Sequence, residues 1–469
     1  MVGAGLVGLG AALMLANDGH DVVVLERDSA APPPDAVNAW ESWERRGVNQ
    51  FRLPHGFMPR FRQIVECELP DVAAAMDDGG ALRWNPLSSI PDVVSGGWRD
   101  SDEQFDLLTG RRPFMEAAVA RVAEGTAGVE LRRGSPVAGL ITSSAVEGGA
   151  VHVTGVETET GERLEADLVV DAGGRRSALP GWLAAAGARP LVEELDDSGF
   201  TYYGRHFRSA DGNVPISIGP VLMHWGTISS LAIPCDNGTW SLGIIAGSVD
   251  RAAFGLKSLD RWEAVVKNLP LVAHWLDGIP LHDGVTVISK LEDRWRGFVV
   301  DGRPVATGVV AVGDAWAASN PSVGRGASIG MIHAQGLRDT LRRPGLDHSA
   351  EFAQAFHQMT ADRVEPWYRW TLRGDRHRLA EVEAGIDGRP YAPCDPDYER
   401  EMELQRVAMA DPECLRAFLQ MRLVLEHPDD VWKRPGLAER VDELAAERAD
   451  SPPLGPDRAG LLAVLADAS

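Results

Sequence analysis

The sequence predicts an α/β protein. Its nucleotide-binding unit is assembled from separated segments, joined to a β-sheet domain and followed by a helical C-terminal extension. Three observations carry this. The chain opens "MVGAGLVGLG", where Gly3, Gly5 and Gly8 have the G-x-G-x-x-G spacing of a dinucleotide-binding turn. A second strand–loop–helix pattern, "GVVAVGDAWAASNPSVGRGAS", lies far downstream. Between them, residues 200–290 are rich in β-branched and aromatic side chains.

The elements follow in order. Leu6, Leu9, Leu13 and Ala16 recur at helical spacing, with Gly19 placed to end the helix. "DVVVLERD" is a short continuous apolar run, as a parallel strand covered on both faces requires, and it ends in Glu26. "SAAPPPD" breaks the chain, and an irregular stretch runs through "RRGVNQFRLPHGF". A helical pattern covers Asp106 to Val122, and residues 128–172 alternate as strands, closing at "ADLVVDAGG". In the β-rich segment the turns fall at "ADGN" and "CDNG". The remainder is mostly helical. These readings give a discontinuous nucleotide-binding domain (1–66, 106–182 and 296–345), a β-sheet substrate domain (67–105 and 183–295) and a helical extension (346–469).

Composition narrows the function. The chain has 469 residues, enough for two or three domains, with 44% hydrophobic and 24% charged residues. A net charge of −22 repels phosphate backbones and anionic lipid, so neither nucleic acid nor a membrane surface is an expected partner. No apolar run reaches membrane-span length, and the apolar start lacks the basic region of a signal peptide, so a cytoplasmic protein is expected. The four cysteines (Cys67, Cys235, Cys394, Cys414) are dispersed and read as core thiols, with no metal site and no disulfide framework.

The glycines have separate physical roles. Gly3 permits the tight turn, Gly5 lets a pyrophosphate approach the backbone, and Gly8 permits close packing of helix on strand. The helix start offers free N–H groups and a positive dipole end. Glu26, at the end of the next strand, suits the ribose hydroxyls. Downstream, a buried strand delivers Gly313 and Asp314 to a loop, and Pro321, Gly324 and Gly326 lead into a helix near Ala327.

These pieces together resemble the FAD-dependent monooxygenases of the para-hydroxybenzoate hydroxylase type, over roughly residues 1–345. "GAGLVGLG…VVVLERD" resembles the ADP-binding unit, "DLVVDAGGRRSALP" the middle motif, and "VGDAWAASNPSVGRGAS" the riboflavin-binding motif. The resemblance implies FAD held by Gly3, Gly5, Gly8, Glu26 and Arg27 at one end. Gly173, Gly313, Asp314, Pro321, Gly324, Gly326 and Ala327 would hold it at the other. It also implies that Arg45 or Arg46, and Arg112, contact the cofactor, and it sets Gln50 and His55 near the flavin ring. The implied reaction inserts one oxygen atom from O2 into an organic small molecule, by hydroxylation or epoxidation, through a flavin C4a-hydroperoxide. NAD(P)H is the implied electron donor, directly or through a separate flavin reductase.

Two departures matter. The family's middle motif carries Asp-Gly, whereas Gly173-Gly174 stand here, which weakens the case for direct NADPH binding. Only Met1 and Val2 precede the glycines, while a buried strand needs about five residues; the expectation is a first strand that is truncated, with the natural protein beginning earlier. Halogenases of similar scaffold rely on an early lysine, and no lysine occurs before Lys257.

The substrate-side candidates lie in "FTYYGRHFR" and "VLMHWG". Alternation sets Tyr203, Arg205 and Phe207 on one face and Tyr202, Gly204 and His206 on the other, with one face lining a pocket. Tyr203, Arg205, His224 and His55 are the candidate catalytic side chains, with Trp225 nearby. Two rival readings remain: a flavin-dependent reductase of the prenyl-reductase type, and a non-catalytic flavin-fold protein.

Overall fold

Helix Leu6–Asn17 begins at Gly5 and ends where Gly19 takes φ +87°, with its N–H on the Ala16 carbonyl. The computed structural model describes residues 1–48, 50–143, 150–346, 350–447 and 455–468. Strand Val22–Glu26 follows the helix and pairs in parallel with Val129–Arg133. On its other side lie Met1 and Val2. Val2 bridges Leu25 and Asp171 in parallel, its N–H donates to the Val170 carbonyl at 2.8 Å, and Leu25 N–H donates to Met1 at 2.9 Å. Val169–Asp171 then pairs in parallel with Val309–Ala311. Val22–Glu26, Val169–Asp171 and Val309–Ala311 are largely buried runs, as a sheet covered on both faces demands, whereas Val129–Arg133 is charged and half-buried.

The helices Leu6–Asn17, Arg112–Gly125 and Gly326–Leu341 pack on this sheet, and Val153 and Val156 of an antiparallel meander join the same core. The carboxyl ends of the parallel strands all meet one edge: Gly3, Glu26, Asp171 and Val312. In open α/β sheets that edge is where ligands bind.

The helix expected from Asp106 begins later. Leu107–Thr109 is a strand antiparallel to Leu82–Trp84, and the helix starts at Arg112, where Pro113 suits the first turn.

A six-stranded antiparallel sheet forms the second body. Its order is Leu222–Trp225, Ile228–Pro234, Thr239–Gly247, Phe200–Arg208, with Ile279–Pro280 and Thr286–Ile288 along the last edge. The "CDNG" turn joins two of these strands, with Asn237 and Gly238 both at positive φ as a tight hairpin requires. One face packs on helix Leu259–Lys267 through Trp262 and on Trp275 of the single turn Ala273–Leu276.

The C-terminal part is helical. Asp395 and Asp411 each cap a helix that starts with proline, Pro396–Val407 and Pro412–Arg422, their carboxylates accepting first-turn N–H groups. Helix Arg458–Asp467 lies on Leu259–Lys267, and Arg458 pairs with buried Asp250. Among the described residues no helix is long and apolar enough to cross a membrane. The cysteines divide: Cys235 and Cys414 are buried, whereas Cys67 and Cys394 are exposed, on a helix face and in a loop that no neighbour covers.

Candidate functional site

A cleft of about 710 Å3 runs from the carboxyl edge of the parallel sheet to the antiparallel sheet and the C-terminal helices. Both glycine-led loops open onto it. At one end the turn is tightly built. Gly3 has φ +98°, and a Cβ there would stand 2.6 Å from the Ala172 carbonyl oxygen. A Cβ on Gly8 would stand 2.4 Å from the Gly3 oxygen. At Gly5 a Cβ would meet nothing within 4 Å, so its open side faces the cleft. No side chain caps this helix start, which leaves its first N–H groups to a ligand.

Glu26 closes the strand beside that turn and is 4% exposed. Its carboxylate accepts from Ala4 N–H and Asp28 N–H, each at 2.9 Å, and from Arg45 Nη2 at 2.8 Å. Arg45 also reaches Asp28 and Glu116, both at 3.2 Å, so one guanidinium knits three carboxylates at the cleft wall. Its neighbour Arg46 is exposed and outside the cleft, because the loop turns it away. Arg27 lies across Gly47, where a Cβ would be 2.3 Å from its Nη2. Arg112 lines the cleft and donates to Glu116 Oε1 at 2.7 Å; Gln50 and His55 line it too. Burial and the nearby Arg112 cation push His55 down to about 3, so its imidazole is neutral at ordinary pH.

The middle motif explains its own departure. A Cβ on Gly173 would stand 2.9 Å from Asp171 Oδ1, so a second carboxylate at 173 would crowd the first. Asp171 is buried, accepts from Gly173 N–H at 2.9 Å and from the Ser177 hydroxyl, and burial raises its pKa. Arg175, also in the cleft wall, spans to the carbonyls of Glu292 (2.5 Å) and Ser319 (2.9 Å).

At the second loop, Gly313 (φ +57°) turns the chain after the strand and Asp314 faces the cleft. Pro321 starts a single turn that Gly324 ends at φ +68°, and helix Gly326–Leu341 begins with no side-chain cap. Gly326 and Ala327 line the cleft at that open end. A hydrogen-bonded chain holds this loop. The Tyr202 hydroxyl donates to Asn320, Asn320 Nδ2 donates to Ser322 Oγ at 3.2 Å, and Ser322 donates to Asp375 at 2.7 Å.

On the antiparallel sheet, Tyr203 and Arg205 do not reach the cleft. They face helix Leu259–Lys267, with Arg205 on Glu263 at 3.0 Å and over Trp262. Trp225 shares that side, its Nε1 donating to Ser230 Oγ at 2.7 Å. The opposite face carries Tyr202, and His206 against Trp40. His224 does line the cleft, where it is exposed, and its Nδ1 is 2.8 Å from Ser229 Oγ. Alternation separates the two faces but does not say which one the helix covers.

The sequence reading missed Asp171, Arg175, Asn320 and the C-terminal wall of the cleft. That wall includes Leu415, Phe418, Leu419 and Arg422 of helix Pro412–Arg422. The helix shows no motif, only an amphipathic pattern; its contribution depends on docking.

Comparison with known proteins agrees with this architecture. The fold is similar to that of solved FAD-dependent monooxygenases. PqsL of Pseudomonas aeruginosa, described as a probable FAD-dependent monooxygenase, superposes with a TM-score of 0.57 at 18% identity, over 81% of this chain and 98% of its own. A 2-methyl-3-hydroxypyridine-5-carboxylic acid oxygenase superposes with a TM-score of 0.54 at 19% identity, over 82% and 90%. In sequence, protein Rv3254 of Mycobacterium tuberculosis is 27% identical over 406 residues, 81% of each chain. No family model matches.

Proposed function

We propose that the protein is an FAD-dependent monooxygenase that transfers one oxygen atom from O2 to an organic small molecule. One observation carries this: two uncapped, glycine-led helix starts, distant in sequence, open on a single cleft with a strand-end carboxylate beside one of them. Its glycines leave backbone bare where a diphosphate needs it, so the residues present fit FAD.

In this reading the N–H groups after Gly5 bind the diphosphate and Glu26 accepts from the adenosine ribose. Arg45 and Arg112 hold the Glu26, Asp28 and Glu116 carboxylates in place beside it, and Asp314 takes the ribityl hydroxyls. The helix start at Gly326 and Ala327 faces the pyrimidine edge, where its dipole favours negative charge. Bound FAD, once reduced, supplies the electrons that activate O2. The Tyr202–Asn320–Ser322–Asp375 chain keeps the Pro321–Gly324 loop in one geometry. Leu222, Leu231 and Ile233, with Leu415, Phe418 and Leu419, form apolar walls that keep water from the reacting centre. His55, half-buried at the cleft wall and neutral, is available as a hydrogen-bond partner rather than a cation.

NAD(P)H is the electron donor in this proposal. Gly173 in place of the family's carboxylate favours delivery through a separate reductase.

The test is reconstitution. Purified protein titrated with FAD is expected to bind it and to consume O2 in the presence of substrate and a reductant. Colourless protein that takes up no FAD would remove the reading. Substrate turnover that proceeds without O2 would move the protein to the flavin-dependent reductases. Anaerobic NADPH alone, with and without added flavin reductase, separates the two electron routes.

A further inference from the structure

The end of the cleft between the antiparallel sheet and the C-terminal helices is mostly apolar, with His224, Gln405 and Arg422 among its polar side chains. Arg422, the last residue of helix Pro412–Arg422, lines it. Among the described residues the Arg422 guanidinium has no hydrogen bond and no ion pair. Arg325 lies near it and is 4% exposed. One Arg325 nitrogen donates to Thr371 Oγ1 at 3.1 Å, and the guanidinium stacks 3.6 Å from the Trp370 ring centre. Its Nε and Nη2 have no partner among the described residues.

The charges around these two cations do not balance. Asp375 and Glu401 are the acidic groups that act on both. Glu401 is taken by Arg373 and by Trp370 Nε1 at 2.7 Å. Asp375 is held by Ser322, and burial raises it to about 7. Two guanidinium groups therefore share at most one free carboxylate. Burying an unpaired charge is costly, and a hydrogen-bonded counter-ion offsets that cost. A small anion that reaches this end of the cleft meets two cations with little counter-charge of their own.

We infer that Arg422, backed by Arg325, receives a carboxylate of the substrate, which makes the substrate an organic acid with an otherwise apolar body. This rests on the reading of the cleft as the substrate site. The planar guanidinium matches a carboxylate in two parallel hydrogen bonds. The apolar body would lie along Leu222, Leu231 and Ile233 on one side and Leu415 and Phe418 on the other. Trp370, stacked on Arg325, supplies an optical report of the site.

The test uses the full chain, with and without FAD, and two probes of equal shape: 4-phenylbutyrate and 4-phenylbutanamide. Binding is read by tryptophan fluorescence in both forms, and by the flavin spectrum in the FAD-loaded form. The acid is expected to bind about tenfold or more tighter than the amide, the size of one charge-assisted hydrogen bond. Arg422→Met should abolish the preference, Arg422→Lys should keep part of it, and neither should change FAD affinity. Equal binding of acid and amide, binding of neither at about 10 mM, or a preference that survives Arg422→Met would overturn the inference. The acid–amide comparison on the unaltered chain needs no variant to fold. Failure to bind FAD with the acid preference intact would count against the monooxygenase reading and leave the carboxylate site standing.

Discussion

Arg111 and Asp236 bind one body of the protein to the other. Arg111 Nη2 lies 2.6 Å and Nε 3.0 Å from the Asp236 carboxylate oxygens, and Arg111 N–H donates to the same carboxylate at 2.6 Å. The arginine precedes helix Arg112–Gly125 of the cleft wall, and the aspartate sits in the hairpin turn of the antiparallel sheet. Both are buried, and the guanidinium lies over Trp40.

This pair sets the first prediction. Asp236→Asn leaves a buried guanidinium without its counter-charge and is expected to cost about 3 kcal/mol of stability, measured by urea unfolding. Arg111→Met with Asp236→Leu should cost much less than the two single changes together. Additive losses would mean that the pair does not act as a unit.

Gly5 and Gly8 should separate binding from folding. Gly8→Ala forces a Cβ to 2.4 Å from a backbone oxygen, so the turn must move, with a loss of about 1–3 kcal/mol. Gly5→Ala meets nothing in the protein and should melt like the unaltered chain, while FAD affinity falls about tenfold or more. Thermal melts and FAD titrations read the two effects; a Gly5→Ala protein with full FAD affinity would remove Gly5 from the diphosphate site.

His333 should sensitise the fold to acid. It is fully buried, accepts from Gly313 N–H at 3.2 Å, and burial pushes it down to about 3. Its folded pKa lies below the unfolded value of 6.5, so its contribution is complete above pH 6.5 and is lost as pH falls towards 3. Between pH 6.5 and 5 that loss is about 2 kcal/mol. His55 acts in the same direction, so His333→Gln should flatten only part of the pH dependence of urea unfolding. No change in slope would show that the ring is protonated within the fold.

Much of the architecture was legible because it is locally encoded. Glycine spacing, the helical recurrence of Leu6, Leu9 and Leu13, and the apolar run into Glu26 each depend on a few adjacent residues. The helix expected from Asp106 shows the limit: Leu107 to Thr109 fit either pattern, and pairing with Leu82–Trp84 makes them a strand.

The site was legible in part, for the same reason. Motif residues such as Gly3, Gly5, Gly8, Asp314 and Gly324 are fixed by the turns that carry them, and all line one cleft. Arg45 and Arg46 are neighbours in the chain, yet only Arg45 finds Glu26 and Glu116, which come from other segments.

By itself the sequence determined where the nucleotide-binding turns lie, which strands alternate, and that the chain ends in helices. Tertiary packing decided which face of the Phe200–Arg208 strand is covered by helix Leu259–Lys267, and so that Tyr203 and Arg205 are turned from the cleft. It also brought Arg422 to the cleft wall and left its guanidinium without a partner among the described residues. The physical reason is range: turns and periodicity follow from neighbouring residues, whereas burial and charge pairing depend on groups that folding brings together from far along the chain.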